Sequence, residues 1–216
     1  MAIVKYRVVK SKRRTLCLTV TKKGEVLVRS PYSVSANAIA EFVKAHERWI
    51  RSKLEKLQHR RQLNLNDGAP LILFGEQFTI REGKPKIEHG FVYLPAEGRE
   101  SAFLKLIKRM AQEEMNKTVQ SIALRYGFSY RRIRISVART RWGSCNKDGV
   151  LSFTCLLAFV EPDLAAYVAV HELCHTRYFN HSKKFWQEVE QILPDWRALR
   201  MRLRKEEDCL AYLQNS

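Results

Sequence analysis

The segment HELCHTRYFNHSKKFW, His171 to Trp186, holds three of the six histidines of the chain. On a helix His171 and His175 stand one turn apart and project from the same face, about 6 Å apart along the axis, which suits two ligands of one tetrahedral ion. Glu172 falls about 100° round from His171, where it reaches a metal-bound water without taking a coordination position. His181 follows six residues after His175, and Asn180 and Ser182 around it can turn the chain into a new helix capped by Ser182. Three neutral imidazoles with one open position make a catalytic zinc arrangement. Glu188 and Glu190, on the next helical segment SKKFWQEVEQIL, stand as alternative third ligands.

Such a site would run hydrolysis. Zinc lowers the pKa of a bound water toward about 7, Glu172 takes its proton and returns it to the leaving group, and no covalent intermediate is needed. The developing oxyanion calls for further donors, for which Arg139, Arg141 and Arg177 qualify by sequence proximity. The strand ending in TRWGSC offers a backbone edge to an extended peptide, with Gly143 letting another backbone come close. Trp142 either contributes to substrate binding or packs behind the site, and packing is the favoured reading.

These residues need elements to hold them. Pro162 opens a helix through EPDLAAYVAVHELCHTRYF whose apolar positions cover most of its circumference, so it is buried; its end falls near Tyr178 or Phe179. Before it, RRIRISVARTRWGSC, the turn NKDG and VLSFTCLLAF read as a hairpin. Helical spacing of Phe103, Leu104, Ile107, Met110, Met115, Val119 and Ile122 predicts a helix over 99–125 that Gly127 ends. Short strands around LILFG, QFTIRE and FVYLP precede it. At the start, alternation on both sides of KKGE predicts an antiparallel hairpin closed by Pro31, then one long helix with Ser35 as cap, Val34 stapled on Ile39, and a stripe of Ile39, Phe42, Val43, Ile50, Leu54 and Leu57. No internal repeat and no low-complexity segment is visible.

RTRWGSC, YVAVHELCHTRYFNHSKKFW and LPDWRALRMRL together resemble the YgjP-like zinc metallopeptidase family, more distantly related to SprT-like and other HExxH proteases. The likeness extends to VLVRSP and FVKAHERWI near the N-terminus. It implies an α+β zincin-like metallopeptidase fold, with N-terminal antiparallel strands and a long helix on a C-terminal helical HExxH part. It also implies His171, His175 and His181 as ligands of Zn2+, Glu172 as catalytic acid/base, and a peptide or protein substrate. The domain reading is a β-rich part with one long helix over 1–98 and a catalytic part over 99–216, built as one continuous unit.

With 216 residues, 45% of them apolar, the chain can bury a sizeable core. The first residues hold no apolar run long enough for a signal peptide, and no later segment approaches a membrane span, so a soluble cytoplasmic protein without a membrane partner is expected. Five cysteines (Cys17, Cys145, Cys155, Cys174, Cys209) without a CxxC pair point to reduced thiols. The net charge of +17, with clusters KSKRR, HRRQ and RRIRI, suggests an anionic partner. It admits two rival readings: a metal-dependent hydrolase of nucleotide phosphoanhydrides, and a protease or binding module held non-specifically on nucleic acid.

Overall fold

The computed structural model describes residues 5–21, 24–58, 63–138 and 140–206, with backbone alone at 56–58. Lys22 and Lys23 of the first turn, the side chain of Leu57 in the helical stripe, the HRRQ cluster, Arg139 and Cys209 therefore lie outside what is described. Among the described residues no helix is long and apolar enough to cross a membrane. The chain forms two compact units that divide between Arg61 and Gln62.

In the first unit, β1 (Tyr6–Ser11), β2 (Cys17–Val20) and β3 (Val26–Pro31) make a sheet of order β1-β3-β2. The hairpin across KKGE is present as β2 against β3, and Pro31 ends β3. β1, in contrast, runs parallel to β3 on its other side. α1 (Ala36–Ala45) starts at Ser35, whose hydroxyl accepts from the Ala38 N–H at 3.2 Å. Val34 packs on the cluster that contains Ile39, as a staple would. The long helix breaks at His46 and resumes as α2 (Glu47–Gln58). The His46 ring supplies the reason: its Nδ1 bonds the Phe42 carbonyl at 2.8 Å, and the backbone N–H turns to Val43 instead. Val26, Val28, Ile39, Val43 and Ile50 form the core of this unit.

The second unit opens with β4 (Pro70–Leu73), β5 (Glu76–Glu82), β6 (Lys86–Glu88) and β7 (Phe91–Leu94) in the order β4-β5-β7-β6. Two-residue turns at Phe74-Gly75 and His89-Gly90 join its hairpins, each with both residues at positive φ, the twist that suits such connections. α3 (Arg99–Tyr126) follows, and Gly127, at φ 68°, ends it with its N–H on the Ala123 carbonyl. The front half of α3 buries Ala102, Phe103, Leu106 and Ile107 against the inner residues of this sheet. That packing puts residues 70–94 in one unit with α3, across the 98/99 boundary of the sequence reading.

The back half of α3 contributes Met115, Val119 and Ala123 to a second cluster. It packs there with β8 (Arg132–Ser136), β9 (Gly143–Cys145), β10 (Val150–Thr154) and α4 (Pro162–Cys174), which a 3-10 turn at Cys155–Phe159 joins to β10. The turn NKDG joins β9 to β10 as a hairpin, while β8 is a separate strand parallel to β10, so the order is β8-β10-β9. α5 (Lys183–Ile192) and α6 (Trp196–Lys205) close the unit.

Candidate metal centre

α4 begins at Pro162, whose missing N–H costs nothing in the first turn. From Leu164 to Cys174 nearly every position is buried, because β9, α3, α5 and α6 all pack around the helix. The apolar run YVAV thus sinks the histidine pair to the floor of the unit. The helix stops at Cys174, with His175 as its cap, earlier than the apolar pattern suggested. Thr176 accounts for this: its hydroxyl donates to the Leu173 carbonyl at 2.8 Å and closes the turn, and the Tyr178 N–H bonds Cys174.

That turn orients the first pair of ligand atoms. The Tyr178 carbonyl accepts from His175 Nδ1 at 2.9 Å, which leaves the Nε2 lone pair of His175 facing inward. His175 Nε2 lies 3.2 Å from His171 Nε2, and His181 Nε2 lies 3.0 Å from the same atom. A tetrahedral zinc ion with ordinary Zn–N bonds sets its ligand nitrogens about 3.3 Å apart. Two of the three separations are close to that spacing and all three ligand atoms lie within 4.8 Å of one another, which fits such an ion.

The surroundings of two of the rings disfavour their charged form. Burial pushes His171 down to about 3, with the nearby His175, His181 and Arg200 acting in the same direction. His181 is lowered as well, first by burial and then by His175 and Arg200. His181 returns to the site because α5 begins directly after it, with Ser182 at the cap position but without a side-chain cap bond.

Phe185 and Trp186, the FW pair in the first turn of α5, form an aromatic wall. The Phe185 ring stacks on His175 at 4.5 Å and meets His171 and His181 edge-on at 5.0 and 4.9 Å. Trp186 stacks on His181 at 5.5 Å and on Trp196 at 4.2 Å. The sequence reading missed this wall; two bulky aromatics placed one turn beyond the third histidine were its signal.

Glu172 lies against Gly143 of β9 and is 5% exposed. Burial pushes its carboxyl up to about 8, opposed by the positive charge of Arg141. A side chain at Gly143 would put its Cβ 2.7 Å from both Cγ and Oε1 of Glu172, so any larger residue there must displace the carboxylate. The sequence reading expects another backbone to approach Gly143; in the structure the neighbour there is the Glu172 carboxylate.

The remaining sequence candidates fall in different places. Arg141 is exposed near Glu172. Trp142 is half-buried and packs on both apolar clusters of the unit. Arg177 donates to the carbonyls of Tyr126 and Gly127 at 3.0 and 2.7 Å, pairs with Glu188, and lies 4.1 Å over the Phe128 ring. It therefore ties the end of α3 to the turn after α4. Glu190 pairs with Arg197. Neither Glu188 nor Glu190 joins the group of His171, His175 and His181, whose ligand atoms lie within 4.8 Å of one another. Cys145, beside the site on β9, has its thiol pushed up to about 11 by burial and by Glu172, and Cys174 to about 12 by burial.

Comparison with known proteins adds the following. A family model described as YgjP-like, metallopeptidase domain matches residues 14–206. No curated protein matches the chain. Among solved structures, the metallopeptidase zymogen of Pyrococcus abyssi abylysin is similar over 43% of this chain and 93% of its own, at 21% identity and a TM-score of 0.39.

Proposed function

This chain belongs to the YgjP-like metallopeptidase family, and from that premise we propose that it is a zinc peptidase whose ion is held by His171, His175 and His181 and whose proton carrier is Glu172. The convergence of the three Nε2 atoms supports the reading most directly. A bound zinc ion supplies Lewis acidity toward a water and toward the oxygen of the scissile carbonyl.

The chain's own residues supply the rest. Glu172, in a nearly dry pocket against Gly143, accepts the proton of the attacking water and delivers it to the departing amine nitrogen. Arg141, whose positive charge opposes the upward shift of Glu172, favours the carboxylate form that takes the proton. β9 is an edge of its sheet, and its outer backbone groups pair with the extended substrate, setting the scissile bond beside α4. Phe185 and Trp186 fix the imidazole rings and exclude water from their outer faces. Arg177 is given a positioning role: it holds the turn whose Tyr178 carbonyl orients His175.

The test is metal analysis of the purified chain together with an unbiased peptide-cleavage screen. One equivalent of zinc is expected, with cleavage that Glu172→Gln abolishes while retaining the zinc. On the order of 10³-fold should be lost from kcat, because the amide keeps the shape and cannot take the proton. Near-wild-type turnover in Glu172→Gln would remove that residue from the mechanism.

A further inference from the structure

The first unit contains a stretch that repeats the architecture of the catalytic one. Residues 18–50 align with residues 143–175 without a gap. In each, an edge strand turns back as the central strand of a three-stranded sheet, flanked on its far side by a parallel strand, and then runs into a helix.

The turns agree in three hydrogen bonds. Thr21 N–H donates to the Glu25 carbonyl at 2.8 Å, as Asn146 N–H donates to Val150 at 3.2 Å. Gly24 N–H bonds Thr21 and Gly149 N–H bonds Asn146, both glycines at positive φ. The Thr21 hydroxyl accepts from Glu25 N–H, and the Asn146 side-chain oxygen accepts from Val150 N–H. The registers also correspond: Leu18 faces Val28 as Gly143 faces Phe153. Buried Val28, Ile39 and Val43 occupy the places of buried Phe153, Leu164 and Val168.

His46-Glu47 then falls on His171-Glu172, but the metal chemistry is gone. Ile50, fully buried, stands where His175 would be, Leu18 replaces the glycine that admits the carboxylate, and Glu47 is paired with Arg51. Identity is confined to Lys22, Gly24, Ala40, Val43, His46 and Glu47, which is why no repeat is visible in the sequence alone.

What the copy retains is the edge. The Thr21–Glu25 bond sets the alternation of the β2–β3 ladder, so the N–H and C=O groups of Leu18 and Val20 point away from β3. The corresponding positions on β9 are Gly143 and Cys145. Among the described residues β2 pairs with β3 alone. Residues 1–61 also carry 16 Lys and Arg against four Asp and Glu, most of the charge excess of the chain. We infer that β2 is a second, non-catalytic strand-addition edge, which takes an extended acidic segment of a polypeptide substrate. The inference rests on the peptidase reading for the identity of that polypeptide. Backbone pairing supplies register, and the basic surface selects the acidic sequence.

The test uses the full-length chain carrying Glu172→Gln and a fluorescent peptide of alternating glutamate and valine at about 0.1 M salt. Its partner probe is the same peptide N-methylated at every second amide, which keeps the charge and cannot extend a sheet. Fluorescence anisotropy should show binding that weakens at least roughly tenfold on N-methylation. Amide exchange followed by NMR should slow at Leu18 and Val20. Equal binding of the two peptides overturns the proposal, as does displacement by a single-stranded oligonucleotide with no slowing at Leu18 and Val20, which would assign the surface to nucleic acid. Slowing at Gly143 and Cys145 alone also overturns it while supporting the peptidase reading. Slowing at Leu18 and Val20 without cleavage of any peptide by the wild-type chain supports the edge and sinks the peptidase reading instead.

Discussion

At the scale of single residues, the candidate site depends on one missing side chain as much as on the four that carry chemistry. Glu172 fills the space that a Cβ at Gly143 would need. Gly143→Ala is therefore expected to displace the carboxylate by a fraction of an ångström and to reduce kcat about 100-fold with zinc retained, measured by peptide turnover beside metal content. Full activity in that variant would show that the contact is loose. His181 is the second residue to test. His181→Ala should lose tightly bound zinc, whereas Glu188→Gln and Glu190→Gln, whose carboxylates are engaged by Arg177 and Arg197, should keep it. Stoichiometric zinc in purified His181→Ala would give the third ligand to another group.

Among elements, the link between α3 and the turn after α4 decides how firmly the imidazoles are aimed. Arg177→Ala strips two carbonyls at the end of α3 and the partner of Glu188, and a loss of about 2 kcal/mol is expected after allowance for partial exposure. Calorimetry should record a fall in melting temperature of roughly 4–8 °C with the zinc content unchanged. An unshifted transition would make the clamp ornamental. Nothing nearby in the sequence announces this role, because the carbonyls that Arg177 meets lie about fifty residues upstream. What was legible was local: His171 and His175 one turn apart, His181 before a cap position, Gly127 as a helix stop, Pro162 as a start, and the turns at KKGE and NKDG. The pairings of β1 with β3 and of β8 with β10 were not, since parallel neighbours join strands that no single turn connects. The break of the first long helix escaped for a similar reason, because helical spacing carries no trace of a ring nitrogen that takes a backbone carbonyl.

For the whole molecule, metal and stability should be linked. An ion that binds the folded chain and not the unfolded one stabilises it by about 4 kcal/mol at a thousandfold excess over its dissociation constant. Chelation should accordingly lower the melting temperature by roughly 8–16 °C in the wild type and in Glu172→Gln, and leave His181→Ala unmoved. Equal melting of the wild type with and without chelator would argue against an ion at the three imidazoles. The ion is only one source of cohesion, and α3 is another. Its front half completes the interior beneath the four-stranded sheet, and its back half completes the interior beneath α4. A cut anywhere between Met115 and Ala158 divides both interiors. The sheet and the histidine floor therefore share one cooperative fate: damage to Phe103 or Ile107, far along the rod from any ligand, is felt at the site as a change in the population of folded molecules and not as a change in its chemistry.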